Sequence, residues 1–194
     1  MTCPPDNEAA WLERLTGLGL MMTPEGSIPV CTIAGLVLFG RWPGIALGRA
    51  GIRWISYAGN DRNSQVQDYT EIDGPLVPRW FTEPGRERRL LKHGLVDEVL
   101  ERMNPVISGD NVFLADGMRC EPAAFYPREA LYEAILNALI PRDWTRAAAV
   151  EIVSYSDRIT ITSPGGLAHS MTVEKMLAGQ RSPRNPVITG IMRD

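Results

Sequence analysis

A chain of 194 residues, of which 44% are hydrophobic and 22% are charged, has the composition of an ordinary globular protein. Its formal net charge of -3 argues against a free-standing nucleic-acid-binding protein, because such proteins usually carry a strongly basic domain. The longest apolar run, 33–40, is too short to cross a bilayer, and no charged and apolar leader opens the chain. We therefore expect a cytoplasmic protein with no membrane contact.

The first half of the chain predicts short helices and strands. In chain order these are a helix over 7–18, a buried apolar helix over 33–40, strands over 50–57 and 66–72, an interrupted helix over 76–103, and a pair of short strands between 104 and 121. Either Asp6 or Asn7, and Thr32, stand where helix caps are expected, since their side-chain oxygens can accept from the first free N–H groups. The sequence Glu83-Pro84-Gly85 breaks the long helix.

The second half predicts a different arrangement, in which a longer helix precedes a hairpin. The elements are a helix over 127–140, strands over 148–155 and 158–162, a helix over 172–177 capped by Thr172, and a last helix that Pro186 opens. These patterns predict an α+β fold. We expect a small mixed N-terminal domain over 1–110, followed over 111–194 by helices on one face of a mostly antiparallel sheet.

One polar stripe of the helix over 127–140 suggests chemistry. Glu129, Glu133 and Asn137 fall within an arc of about 80° at 100° per residue, opposite the apolar face of the helix. Taken alone, such a stripe is more often a solvated helix face. An amide oxygen, however, is a suitable Mg²⁺ ligand, and a carboxylate one turn away can orient or deprotonate a water molecule.

Two later segments could contact an anion. The turn at 163–166, Ser-Pro-Gly-Gly, can expose backbone N–H groups to a phosphate, although most such segments are only turns. No lysine follows the glycines, so the turn is not a P-loop. Arg142 either pairs with Asp143 or points at a phosphate, and Arg184, beside Asn185, either contacts phosphate or holds its loop.

The pieces YPREALYEAILNALIPRDW, DRITITSPGGL and RSPRNPVI, in that order, carry a resemblance to a known family. They resemble the C-terminal region of bacterial proteins described as RecG-related ATP-dependent DNA helicases or as Schlafen-type transcriptional regulators. That region is similar to the GHKL ATPase fold of gyrase and histidine kinases. The upstream pieces CTIAGLVLFG and TEIDGPL resemble the segment that precedes it in the same proteins.

The resemblance implies roles for four residues. Glu133 would match the glutamate that activates water, Asn137 the asparagine that binds magnesium, and Gly165 and Gly166 the glycine box for adenine and phosphate. The implied cofactors are ATP and Mg²⁺, with Arg142 and Arg184 as further candidates for contacts to the nucleotide.

The chain also departs from the family pattern. The segment ahead of the glycines is Ser-Pro and lacks the aspartate that reads the adenine amino group. Pro141 stands where the family has a histidine, and no glycine-rich lid follows before Asp194. Helicase motifs are absent from this sequence.

We therefore expect a non-helicase module of a RecG-related or Schlafen-type transcriptional regulator. Its GHKL-like C-terminal half is expected to be incomplete and to bind a nucleotide weakly. Two alternatives stay open at this point: an active Mg²⁺-dependent ATP hydrolase that supports a DNA-directed task, and a purely structural dimerisation module. DNA contacts are expected only through domains outside this chain, and a homodimer is one arrangement to test.

Overall fold

The computed structural model describes residues 5, 7–82, 87–108, 126–167, 171–180 and 182–193. Its strands are β1 (Met21–Met22), β2 (Val30–Cys31), β3 (Ile52–Tyr57), β4 (Val66–Ile72), β5 (Arg79–Phe81), β6 (Arg89–Lys92), β7 (Val150–Ser154) and β8 (Ile159–Thr162). Its helices are α1 (Glu8–Gly17), α2 (Ile33–Phe39), α3 (Pro43–Leu47), α4 (Leu95–Ser108), α5 (Arg128–Leu139), α6 (Val173–Leu177) and α7 (Pro186–Arg193).

The central sheet has four strands in the order β4-β3-β7-β8. The β3–β4 and β7–β8 pairs are antiparallel, and the middle pair, β3–β7, is parallel. In that parallel pair Ile52 lies beside Val150, and Ser56 lies beside Ser154. The predicted α+β fold with a mostly antiparallel sheet is confirmed.

One hydrophobic core holds the sheet and its helices together. Ile52, Trp54 and Ile152 from the sheet are buried in the same cluster as Met103 of α4 and Ile135 of α5. Strands from both predicted domains share the sheet, since β3 pairs with β4 along one edge and with β7 along the other. Both pairings satisfy backbone groups of β3. The division into 1–110 and 111–194 therefore does not separate two cores among the described residues. Residues 109–125, where the boundary was placed, lie outside them.

The helix predicted over 76–103 is wrong in its first part. Residues 79–81 and 89–92 form the antiparallel β5–β6 hairpin, in which Arg79 pairs with Lys92 and Phe81 with Arg89. The adjacent leucines of β6 fit a helical stripe as well as a half-buried strand, so periodicity alone could not separate the two. The helix begins only after Gly94 and continues to Ser108, where a strand had been predicted. The rest of that predicted strand pair, and residues 83–86, lie outside the described residues.

The predicted caps are confirmed. Asn7 Oδ1 accepts from the backbone N–H of Ala10 at 2.9 Å, and Thr32 Oγ1 accepts from that of Gly35 at 3.1 Å. The expectation that α2 is buried all round is wrong at its ends, because Ile33 and Phe39 are 41% and 49% exposed. Among the helices that the structure describes, none has the length and hydropathy needed to span a bilayer.

Candidate functional site

Helix α5 presents the predicted polar stripe to solvent. Its inner face is buried through residues such as Ile135 and Leu139, whereas Glu133 and Asn137 are exposed. Residues four apart face each other on a helix, and Asn137 Nδ2 donates to Glu133 Oε1 at 3.0 Å. The carboxylate and the amide therefore form one unit, with the amide oxygen directed away from the shared hydrogen bond.

Residues at the two ends of α7 contact α5 or the segment just beyond it. At its start, Asn185 Nδ2 donates to the carbonyl oxygens of Ile140 and Arg142 at 2.7 and 2.8 Å, just beyond the end of α5. At its far end, Arg193 Nη2 donates to Asn137 Oδ1 at 2.6 Å. The same nitrogen lies 3.7 Å from Glu133 Oε1. Sequence reasoning missed Arg193, because no motif marks a residue 56 positions after its partner.

The glycine turn follows β8 and is fixed to the end of α5. Ser163 Oγ donates to the Ala138 carbonyl at 2.7 Å. Gly165 has a φ of +118°, and a Cβ there would lie 3.2 Å from Arg184 Nη1 and 3.3 Å from Asp143 Cβ. The turn needs glycine at this position for both its conformation and its close packing.

Arg184 connects the turn to the segment after α5. Its Nη2 donates to the Gly166 carbonyl at 3.0 Å, and its Nη1 lies 3.5 Å from Asp143 Oδ2. Asn185 caps the carbonyl groups at the end of α5, so both residues hold backbone segments in this structure. The predicted contact of Arg184 with a phosphate stays a prediction.

Arg142 is directed into the protein interior, and its predicted phosphate contact has no support in the geometry. The residue is 1% exposed, and its guanidinium donates to the carbonyl oxygens of Ala50 and Ala148, and to that of Arg49 at 3.1 Å. It also lies 4.4 Å over the ring of Trp144. Burial lowers its pKa to about 10, and Asp143 opposes that shift. Buried carbonyl groups need donors, so Arg142 serves the fold.

Asp143 does not form the predicted ion pair with Arg142 but bonds to other residues. Thr145 Oγ1 donates to Asp143 Oδ1 at 2.6 Å, and Arg146 and Arg184 each approach Oδ2 to 3.5 Å. The hydrogen bond from the Thr145 side chain is the main reason why the pKa of Asp143 is lowered. The carboxylate is therefore ionised beside the glycine turn.

The predicted site residues thus form two groups. Glu133 and Asn137 lie with Arg193, which was not predicted, and the glycine turn and Arg184 lie with Asp143, whereas Arg142 belongs to neither group. Two cavities, of about 310 and 240 Å³, are lined by neither Asn137 nor the glycines, so a hollow common to both groups stays a prediction. Within the described residues, no cluster of three or more His, Cys, Asp or Glu side chains suits a metal ion. A metal ion at the outer face of α5 would be held by Asn137, Glu133 and oxygens of the ligand.

Comparison with known families bears on the second of these groups. Residues 147–194 match the family model described as "Putative ATP-dependent DNA helicase recG C-terminal". This stretch, about a quarter of the chain, contains β7, β8, the glycine turn, α6 and α7, and it resembles a RecG-related, ATPase-like region. Helix α5 lies upstream of it, so the match does not extend to Glu133 and Asn137.

A solved structure has a fold similar to that of nearly the whole chain. The DIP2311 protein of Corynebacterium diphtheriae has a similar structure, with a TM-score of 0.57 and 23% sequence identity. The similarity covers 93% of this chain and 32% of that one, so this chain spans about a third of that protein's length. At such low identity the likeness concerns the fold alone. No curated protein matches the chain.

Proposed function

We propose that the chain is a non-helicase module of a RecG-related or Schlafen-type bacterial transcriptional regulator that binds ATP with Mg²⁺. The observation that carries this proposal is the arrangement on the outer face of α5. There, Asn137 Oδ1 and Glu133 Oε1 lie 2.6 and 3.7 Å from one positively charged nitrogen, Nη2 of Arg193. The match of residues 147–194 to a RecG-related family supports the nucleotide class.

The side chains of α5 fit a magnesium ion. An amide oxygen and a carboxylate are hard oxygen donors, and Mg²⁺ typically binds through one or two protein groups plus water and phosphate. The guanidinium nitrogen of Arg193, which lies near both oxygens, supports a positive charge at this position. Its side chain is 43% exposed, so it can leave without opening the core. When bound, Mg²⁺ would neutralise phosphate charge, with Asn137 as its protein ligand.

The glycine turn and Arg184 supply groups for the phosphates. Gly166 has open space at its Cβ position, so its backbone is accessible. Arg184 carries five N–H donors and uses one of them on the Gly166 carbonyl. A guanidinium beside exposed backbone N–H groups is a common recognition element for phosphate.

Thermal unfolding with ATP, with and without Mg²⁺, tests the proposal. Ligand at one hundred times its dissociation constant should add about 2.7 kcal/mol to the free energy of unfolding. Asn137→Ala should remove the part of this shift that depends on Mg²⁺. Asn63→Ala is the matched control, since only the backbone N–H of Asn63 is bonded, to Asp61. The absence of any shift with ATP or ADP would contradict nucleotide binding.

An active ATPase is a second candidate because Asn137 Nδ2 orients the Glu133 carboxylate. Such a carboxylate can position and deprotonate an attacking water. Glu133→Gln should then abolish phosphate release from ATP while binding persists. Glu129→Gln, one turn earlier on the same helix, is the control. Loss of binding together with hydrolysis in Glu133→Gln would count against a role as base.

A structural dimerisation module is the third candidate. Helix α6 exposes three apolar side chains, Val173 at 60%, Met176 at 52% and Leu177 at 85%. Contiguous exposed apolar residues are typical of interaction surfaces. A concentration-dependent oligomer that Leu177→Glu disrupts, in a chain that no nucleotide stabilises, would favour this candidate over the first two.

A further inference from the structure

The β5–β6 hairpin presents large apolar side chains to solvent. Trp80 and Phe81, adjacent in β5, are 43% and 46% exposed, and Leu91 of β6 is 48% exposed. Neighbouring residues of a strand point to opposite faces, so both faces of the hairpin carry exposed apolar surface. A two-stranded hairpin is only marginally stable by itself, and within the described residues β5 and β6 pair with each other alone. Contiguous apolar surface of this kind is typical of a contact with another molecule.

A shift in register gathers positive charge on one of these faces. Phe81 pairs with Arg89, and Arg79 pairs with Lys92. Leu91 is therefore an extra residue in β6. Directly paired residues share a face, and so do residues two apart in β5, so Phe81 shares its face with all three of these cationic side chains. In a regular ladder Leu91 would stand opposite Arg79, which means that the bulge places a cation where a leucine would otherwise be.

Lys92 connects this face to a second exposed aromatic ring. Its Nζ lies 4.9 Å from the ring centroid of Trp42, which is 48% exposed, and Arg41 lies over the same ring at 5.9 Å. Lys92 also donates to the Asp73 carbonyl at 3.1 Å and lies 3.9 Å from Glu98 Oε2. It is therefore held in place and partly neutralised, and the charge that the face offers to a ligand comes mainly from arginines.

The arginines of this face are available to an anion. Arg79 and Arg89 are exposed, and within the part of the chain that the structure describes their guanidinium groups form no hydrogen bond or ion pair. The segments 41–42, 79–82 and 87–92 together hold five cationic residues and one acidic residue, whereas the whole chain has a net charge of -3. Positive charge is thus concentrated here, and an anionic partner complements it.

The aromatic rings indicate which kind of anion fits. On the opposite face of the hairpin Arg88 lies over the Trp80 ring at 4.5 Å, so an indole beside a cation occurs twice. Such rings stack on unpaired nucleobases, and neighbouring arginines bind the phosphates. An acidic peptide supplies negative charge without the flat π-faces, and a duplex keeps its bases stacked on each other. The surface therefore favours a nucleic acid with unpaired bases.

We propose that the β5–β6 hairpin and Trp42 form a binding surface for single-stranded nucleic acid, in which the arginines hold the phosphates and the aromatic rings stack on the bases. The surface is independent of the nucleotide site on α5. It places within this chain a contact that the sequence predicts only for domains outside it. DNA and RNA share the phosphates and the faces of the bases, so the proposal covers both.

Fluorescence anisotropy of a labelled oligothymidylate of about 20 nucleotides, at several salt concentrations, tests the charged part of the surface. Binding should weaken as salt rises, with a slope of log K on log salt of about -0.7 for each phosphate contact to a single strand. Arg79→Gln together with Arg89→Gln should therefore reduce the magnitude of the slope by about 1.4. Arg158→Gln is the control, since Arg158 is half exposed but pairs with Asp157 in the β7–β8 turn.

The same measurement tests the aromatic part. Trp42→Ala and Phe81→Ala should each weaken binding by roughly 5- to 150-fold, because each ring stacks on one base. Trp11→Ala is the matched control, since Trp11 of α1 is 43% exposed and lies on another element. It should leave the affinity unchanged. If Trp42→Ala does not fold, Phe81→Ala and the double arginine variant decide the question, because their side chains are exposed.

The remaining outcomes distinguish other partners. Tighter binding of the oligothymidylate or of an oligouridylate of equal length supports the proposal and identifies the preferred strand. A duplex that binds as tightly as the single strand overturns it, and so does an affinity that the arginine and aromatic substitutions leave unchanged. Binding to phosphatidylglycerol vesicles without binding to either oligonucleotide would also overturn it and would assign the surface to a membrane.

Discussion

Arg193 Nη2 donates to Asn137 Oδ1 over 2.6 Å and so places a guanidinium on the amide that we propose as the magnesium ligand. The contact joins the C-terminal end of α7 to the last turn of α5. It also brings positive charge within 3.7 Å of Glu133. A cation that binds Asn137 Oδ1 would have to displace Arg193, so Mg²⁺ bound as we propose would compete with α7 for this oxygen.

Arg193→Ala should therefore strengthen binding of ATP with Mg²⁺. Exposed charged contacts are worth little, so we expect an increase in affinity of roughly 1.5- to 5-fold. Titration calorimetry measures the change. Arg158→Ala, which removes an equal charge from the β7–β8 turn, is the control. A weaker complex in Arg193→Ala would show instead that Arg193 contacts the nucleotide.

Arg142→Met should destabilise the fold. Its guanidinium is the donor for carbonyl groups of Arg49, Ala50 and Ala148, and a methionine leaves these buried acceptors unpaired. We expect a loss of about 3 kcal/mol or more in the free energy of unfolding, measured in urea. Arg146→Met should change it by less than about 0.5 kcal/mol, because its side chain is exposed. A loss no larger than that of this neighbour would contradict the structural role of Arg142.

Local features of the fold could be predicted from the sequence. Asn7, Thr32 and Thr172 cap helices as expected, because a cap depends only on the next three residues. The pairing of Glu133 with Asn137 also follows from their spacing on one helix. Each of these features is decided within one turn of chain.

The features that the sequence did not reveal depend on contacts between distant segments. The parallel β3–β7 pair joins residues 52–56 to 150–154, and nothing in either strand specifies the other. Arg142 is buried because carbonyl groups from 49–51 and from 148 converge on it. From the sequence alone, a single arginine after a helix does not indicate that its side chain is buried. Arg193 likewise reaches Asn137 only in the folded chain, across 56 residues of sequence.

Acid should weaken the fold through Asp68. Arg102 donates to this carboxylate with two nitrogens at 2.8 Å, and Trp54 Nε1 donates at 2.9 Å. The hydrogen bonds from Arg102 are the main cause of its lowered pKa, relative to an ordinary value of 3.8. Because the pKa of Asp68 is lower in the folded state, its ionised carboxylate stabilises the fold above about pH 4. This stabilisation is lost as the pH falls through the lowered pKa.

Urea unfolding between pH 6 and pH 3 tests this role. Asp68→Asn should lower stability at pH 6 and reduce the further loss on acidification, compared with the unaltered chain. Asp157→Asn, at an exposed turn, should leave the dependence on pH nearly unchanged. Equal acid slopes in the unaltered chain and in Asp68→Asn would rule out a contribution from the pair of Asp68 and Arg102.

The two glycines of the turn at 163–166 should respond differently to alanine. Gly165 has a φ of +118°, and an added Cβ would lie 3.2 Å from Arg184 Nη1 and 3.3 Å from Asp143 Cβ. Gly165→Ala should therefore lower the free energy of unfolding by about 1–3 kcal/mol, because the conformation is strained and the packing is close. A Cβ on Gly166 would meet nothing within 4 Å. Gly166→Ala should then change stability by less than about 0.5 kcal/mol. Thermal or urea unfolding of the two variants decides the matter, and similar losses would contradict the close packing of Gly165 against Arg184 and Asp143.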